Sequence, residues 1–143
     1  MSLLGLSKSL EDRGIQIDLK VVNAAKAGVL YMLGSQSNYV QLASQAVSHI
    51  LDWEVDADGI SASDVLFGAE VEQTKVDDFA RLRPLAPGDT FRTDQLASGS
   101  DTGAVDGTKN PNEELGVDPA TGKLRMKQAT DMALFRIASD GGN

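Results

Sequence analysis

Glu54, Asp56 and Asp58 stand at alternate positions ahead of Gly59, the spacing with which carboxylates approach a calcium ion in an EF-hand loop. Counted from Glu54, Gly59 falls at the sixth position of such a loop, where the chain must turn sharply. The twelfth position is Val65 in place of a bidentate Glu, and the first is Glu in place of Asp. The segment therefore reads as a solvated acidic strand and turn, with weak cation binding as the alternative. His49 is the only histidine, which excludes a multi-histidine metal centre and leaves one candidate general base. No serine lies in a Gly-x-Ser-x-Gly setting, and Ser48 points away from His49 if residues 47–55 form a strand. A packed, hydrogen-bonded histidine between Val47 and Leu51 is the expectation. Neither Gly-x-Gly-x-x-Gly nor Gly-x-x-x-x-Gly-Lys occurs, so no phosphate cradle is signalled. The absence of cysteine excludes disulfides, Cys-ligated metals and thiol catalysis. No cofactor, no metal and no catalysis are expected.

The 143 residues carry 13 Lys+Arg against 21 Asp+Glu, a formal net charge of −8. Residues 51–78 hold nine of those carboxylates (Asp52, Glu54, Asp56, Asp58, Asp64, Glu70, Glu72, Asp77 and Asp78) against Lys75 alone. An acidic face of this kind repels phosphate backbones and anionic lipid, so neither nucleic acid nor membrane is expected as a direct partner. Residues 27–51 have no charged side chain, but polar residues from Ser35 to His49 interrupt the run too often for a lipid-facing helix. The opening residues lack a signal-peptide pattern. A soluble chain made in a reducing cytoplasm is the expectation.

The elements that must position these groups are short. Ile15, Ile17 and Leu19 alternate as in a half-buried strand, and runs 28–33 and 39–43 flank a five-residue polar turn, Gly34-Ser-Gln-Ser-Asn38. Residues 40–50 fit a short helix and residues 47–55 fit a strand. Residues 65–71, 79–85, 90–96, 124–129 and 132–137 read as further strands, with Pro84 placing 79–85 at a sheet edge. Residues 97–122 contain three turn clusters and read as one extended polar loop. The expected fold is mainly β, a small single-domain barrel or sandwich spanning 15–143. Residues 1–14 form an N-terminal arm, with at most short helices near 3–12 and 40–50.

Two resemblances carry functional expectations. Leu82-Arg-Pro-Leu-Ala-Pro-Gly-Asp89 resembles a motif that opens a strand in hot-dog-fold dehydratases and thioesterases, implying chemistry on acyl thioesters. That family also needs a long central helix with acid/base residues near its start, and neither is evident here. Asp64-Val-Leu-Phe-Gly-Ala-Glu-Val71 resembles the Phe-Gly-x-x-Val strand of the cement and head-decoration proteins of tailed bacteriophages. The small, acidic, cysteine-free, β-rich frame, the Pro-Gly-Asp turn and the long loop are similar too, over residues 60–137. That likeness implies a non-enzymatic structural virion protein, made in the host cytoplasm and seated on the capsid surface. The major capsid protein would be its partner, and a homo-oligomer its form, with a trimer favoured.

Partner contacts are expected at the edge strand 79–85, where unpaired backbone groups invite a neighbour. Arg81 and Arg83 share one face of it and could meet acidic groups on another subunit. Phe79, Arg81, Arg83 and Arg92, with Asn110 and Pro111 of the long loop, are the candidate binding residues. The arm 1–14 and the loop 97–122 are poor in apolar residues, so both are expected to be mobile alone and ordered against a partner.

Overall fold

The computed structural model describes residues 4–52, 76–77, 79–106 and 109–138. The Glu54–Gly59 acidic turn, Trp53 and the strand expected at 65–71 lie outside these residues. The described residues include ten short strands and one helix: β1 (Leu4–Leu6), α1 (Lys8–Arg13), β2 (Lys20–Val21), β3 (Leu30–Leu33), β4 (Tyr39–Leu42), β5 (His49–Leu51), β6 (Leu82–Pro84), β7 (Phe91–Thr93), β8 (Glu114–Val117), β9 (Leu124–Met126) and β10 (Phe135–Arg136). The protein is mainly β, a small single domain.

Five strands form one sheet in the order β2-β4-β3-β5-β6, and the sheet curls into a half-barrel. The β3–β4 hairpin is the expected one, with Tyr31 opposite Leu42 and Leu33 opposite Val40. Asn38 closes its turn at φ 67°, a left-handed conformation that asparagine tolerates better than most residues. Across the open side of the curl, two isolated bridges, Gln16 to Leu82 and Lys20 to Phe79, bring the outer strands' extensions together. Alternate residues point into the curl, where Leu19, Val21, Val29, Tyr31, Val40, Leu51, Ala80 and Leu82 form one core. The opposite pleat carries Leu30, Ala43 and Ile50 against Leu115, Val117 and Leu124 of the sheet β10-β8-β9, forming a second core. The antiparallel pair β1–β7 adds Leu4 and Phe91 to that second core.

Several sequence expectations give way here. Residues 15–19 do not form a regular strand: only Gln16 bridges, and Ile17 is 64% exposed while Leu19 is buried. A bend at Asp18 resets the alternation before β2. Residues 40–50 form no helix, because each half of the run pairs with β3. Residues 4–13 are not an extended arm; β1 pairs with β7, and Leu10 of α1 is fully buried. The 97–122 stretch is not one loop, since it contains β8, whose Leu115 and Val117 are buried between β9 and β10. Three apolar or small residues in a row, Leu115 to Val117 after Glu114, sufficed once two neighbours shielded them. Its turns are tied internally: Ser98 N donates to Asp101 Oδ2 at 3.0 Å and Ala120 N to Asp118 Oδ1 at 2.9 Å.

The edge expected at β6 exists, but its backbone is already occupied. Gln16 N donates to Leu82 O at 2.7 Å, Leu82 N returns the bond to Gln16 O at 3.0 Å, and the Arg13 guanidinium takes Pro84 O at 2.9 Å. Strand addition by a neighbour at β6 therefore has no free ladder to join. Light scattering of a β6-edge variant, Arg81→Ser, should match the natural chain at every concentration.

Candidate functional site

Among the described residues, two places on the half-barrel gather groups capable of chemistry. The first lies at one end of the curl, around His49. β5 carries His49 between β3 and β6, opposite Tyr31 and Pro84, and the residue is only 6% exposed. Ser48 Oγ lies 2.8 Å from Nδ1, and Gln16 Oε1 lies 2.8 Å from Nε2. The amide oxygen can only accept, which assigns the proton to Nε2 and makes the Ser48 hydroxyl the donor to Nδ1. Ser48 thus does not turn away from His49, contrary to the alternation of a regular strand, because it precedes the first residue of β5. The arrangement has the two members of a nucleophile–base pair. Its third member is the neutral Gln16, which orients the ring without stabilising an imidazolium as a carboxylate would.

Burial holds His49 below its ordinary pKa of 6.5, with the negative charge of Asp18 partly opposing. The unfolded chain therefore binds more protons than the folded one once the pH drops below about 6.5. The stability that neutral His49 supplies is complete above that pH and is lost as the pH falls through the lowered folded value. With a single histidine in the chain, melting temperature should fall between about pH 7 and pH 5. A His49→Phe variant should show a flatter profile in that window. An equal slope in both chains would place the titrating group elsewhere.

The second place is a shallow cavity of about 470 Å³ beside the seam, lined by Asp18, Lys20, Ser37, Asn38, Tyr39 and Phe79. Lys20 N donates to Asn38 O at 2.9 Å, which brings β2 alongside the start of β4. Ala80 N donates to Leu19 O at 3.2 Å, which brings Phe79 to the same rim. Lys20 Nζ sits 5.1 Å from the Phe79 ring centroid, a cation–π contact on a ring that is 60% exposed. Loss of solvent raises the Tyr39 phenol above its ordinary value, helped by the charge of Asp77 and a hydrogen bond to it. Asp18, Ser37 and Asn38 have no side-chain hydrogen bond among the described residues.

The residues named from sequence as partner-binding are scattered over three sheets. Phe79 is exposed at the seam, Arg92 is exposed on β7, and Asn110 and Pro111 form an exposed turn before β8. Arg81 is half-buried. Arg83 does not face a partner: it is 4% exposed, its Nε lies 2.5 Å from Asp52 Oδ2, and its Nη1 donates to Glu11 O at 3.0 Å. Its alternation placed it on the same face as Arg81, but that face at β6 is covered by α1.

Two further ion pairs brace the body. Arg13 pairs with Asp89 in a fork, Nη2 to Oδ1 at 3.0 Å, and Arg125 pairs with Asp131 through Nε at 3.0 Å and Nη2 at 2.9 Å. Each carboxylate sits below its ordinary pKa chiefly because of the hydrogen bond from its arginine. Asp89 belongs to the Pro-Gly-Asp turn, and there it also accepts from Ala86 N at 2.8 Å. The motif locks a turn. None of these pairs was visible in the sequence, because the partners stand 6 to 76 residues apart.

Among the described residues no group of three or more His, Cys, Asp or Glu could hold a metal ion. Among them, too, no helix is long and apolar enough to cross a membrane. Comparison with protein-family models, curated proteins and solved structures gave no match to this chain.

Proposed function

We propose that this chain is a structural virion protein that binds the outer surface of a phage capsid and reinforces the head without catalysis. The observation that carries the reading on the structure is the exposure of Ile17, Val76 and Phe79, at 64%, 56% and 60%. These large apolar side chains lie on the two segments that meet at the seam: Asp77 N donates to Val21 O at 2.9 Å, and Phe79 bridges Lys20. Apolar side chains left in water on a body with two filled cores suit a surface that another protein covers. The likeness of residues 60–137 to head-decoration proteins points the same way and names the partner class, the major capsid protein. Ion pairs that tie α1, β6 and the 86–89 turn together supply the rigidity a reinforcing protein needs. Homo-oligomers, trimers by the same likeness, would form through faces other than the occupied β6 edge.

The test is co-sedimentation with empty shells assembled from the major capsid protein encoded in the same genome. Saturable binding and a higher shell melting temperature are expected, with binding weakened about tenfold or more in an Ile17→Ser, Phe79→Ser double variant. A chain that stays in the supernatant at every concentration overturns the reading.

The Ser48–His49 hydrogen bond favours a second reading, hydrolysis of an acyl thioester. Among the described residues the sole helix, α1, has six residues, short of the long central helix that the hot-dog family uses. Turnover of short acyl-CoA substrates that vanishes in both Ser48→Ala and His49→Ala would establish this reading instead.

A further inference from the structure

We propose that the seam cavity is a binding site for a neutral saccharide, with Phe79 as its stacking platform. The inference shares Phe79 with the capsid reading but does not rest on it, since it concerns the free chain and a small ligand and is read without capsid shells. A volume of about 470 Å³ lies within the usual range of small-ligand clefts, about 300–1,000 Å³. What lines it is more telling than its size.

A pyranose presents two chemistries at once, a patch of C–H groups on the ring face and a belt of hydroxyls at the rim. The cavity offers a counterpart to each. Phe79 is 60% exposed although a phenyl ring gains by leaving water. Its position is fixed by the Lys20 ammonium 5.1 Å from the ring centroid and by the bridge to Lys20. Around it stand the Asp18 carboxylate, the Ser37 hydroxyl and the Asn38 amide, whose side chains hold no hydrogen bond among the described residues. Together they supply a two-oxygen acceptor, a hydroxyl that gives and takes, and an amide that does both, with Lys20 adding a charged donor. Such a mixture satisfies vicinal hydroxyls, each of which must both donate and accept.

The charge at the site selects against the other polar ligands. Among the described residues, Asp18 lies in the cavity and Asp77 stands beside Tyr39, against Lys20 as the one cation of the lining. A phosphate or carboxylate would meet two negative charges for one positive, and the chain as a whole carries −8. A cation would find Phe79 already engaged by Lys20. A neutral, hydroxyl-rich ring is what remains.

The hairpin turn gives the site its shape. Asn38 at φ 67° brings residues 37–39 round to the seam, and Gly34 N holds the turn by donating to Tyr39 O at 2.9 Å. The polar groups thus sit on a tied turn, on β2 and at the bend just before it, so little ordering is left to pay on binding.

The experiment titrates the full-length ¹⁵N-labelled chain with cellotetraose, maltotetraose, chitotetraose and, as the anionic control, inorganic phosphate. At least one oligosaccharide is expected to bind with a Kd of about 1 mM or tighter, the scale of a shallow, exposed site. Shifts should be confined to the amides of residues 18–20, 37–39 and 79. Phe79→Ala and Asp18→Ala, both at exposed positions, should each weaken binding about tenfold or more while leaving the remaining spectrum in place. No shift with any oligosaccharide overturns the proposal. So do shifts that persist unchanged in Phe79→Ala, and so does phosphate binding at these same residues in preference to sugar.

Discussion

Replacing Asp52 by Ala is expected to destabilise the fold by about 3–5 kcal/mol, the cost of breaking a buried ion pair by removing one partner. Arg83 and Asp52 are 4% exposed each, and Arg83 Nε lies 2.5 Å from the carboxylate. Removing the carboxylate takes away the anion that Arg83 Nε faces, while the Glu11 carbonyl, at 3.0 Å from Nη1, stays in place. A neutral acceptor cannot offset the loss of solvation of a full charge. For a domain whose whole stability is about 5–15 kcal/mol, such a loss lowers the melting point steeply or prevents folding at growth temperature. The double variant Asp52→Leu, Arg83→Met should recover most of the stability, because it removes both charges and keeps the volume. The Glu11 carbonyl would keep its bond from Gly14 N at 3.1 Å. Urea unfolding of the three chains reads both effects. A loss below about 1 kcal/mol in Asp52→Ala would place the pair in the solvent-screened class instead.

Gly122→Ala is expected to cost about 2–4 kcal/mol, from left-handed strain and overpacking together. Gly122 stands at φ +71°, and a Cβ there would lie 2.6 Å from Val29 Cγ1, 2.9 Å from Leu30 O and 2.9 Å from Leu42 Cδ2. This is the point where the β8–β9 turn docks on the half-barrel: Leu30 N donates to Gly122 O at 3.0 Å. The turn itself is stiff, with Asp118 O accepting from Thr121 N and Gly122 N at 3.2 and 2.7 Å. Relief by rotating the turn would break those bonds, and relief by moving Val29 or Leu30 would disturb both cores. Gly99→Ala serves as the control, since Gly99 has φ +60° but nothing within 4 Å of its added Cβ. It should lose only the backbone strain, about 1–2 kcal/mol. Equal losses at the two positions would mean that the β8–β9 turn yields freely. The fold would then be two loosely joined lobes.

The β class of this chain and its hairpin were legible because they rest on local signals. Runs 28–33 and 39–43 around a polar five-residue turn specify β3 and β4 without reference to anything distant, and Asn38 supplies the left-handed residue the turn needs. The histidine was legible in the same way: flanked by Val47 and Leu51, it is packed and hydrogen-bonded. The phage-like segment at 64–71 and the acidic turn lie outside the described residues, so their role rests on sequence.

What the sequence by itself determined was therefore pattern: which residues alternate, where the chain turns, and that −8 of charge must be accommodated. Only the tertiary structure decided which charges are spent. Arg83 looks like any exposed arginine of an edge strand until α1 covers it and Asp52, 31 residues away, meets it. The reverse happened to Phe79 and Ile17, apolar in an alternating run yet left in water, because the seam makes only isolated bridges and a bend separates Ile17 from β2. β8 followed the same logic. Its neighbours β9 and β10 come later in the chain, and a four-residue strand has no identity until they shield it. Ladder pairing, ion pairing and burial are bonds between residues distant in sequence, and periodicity along the chain carries no record of which partner arrives.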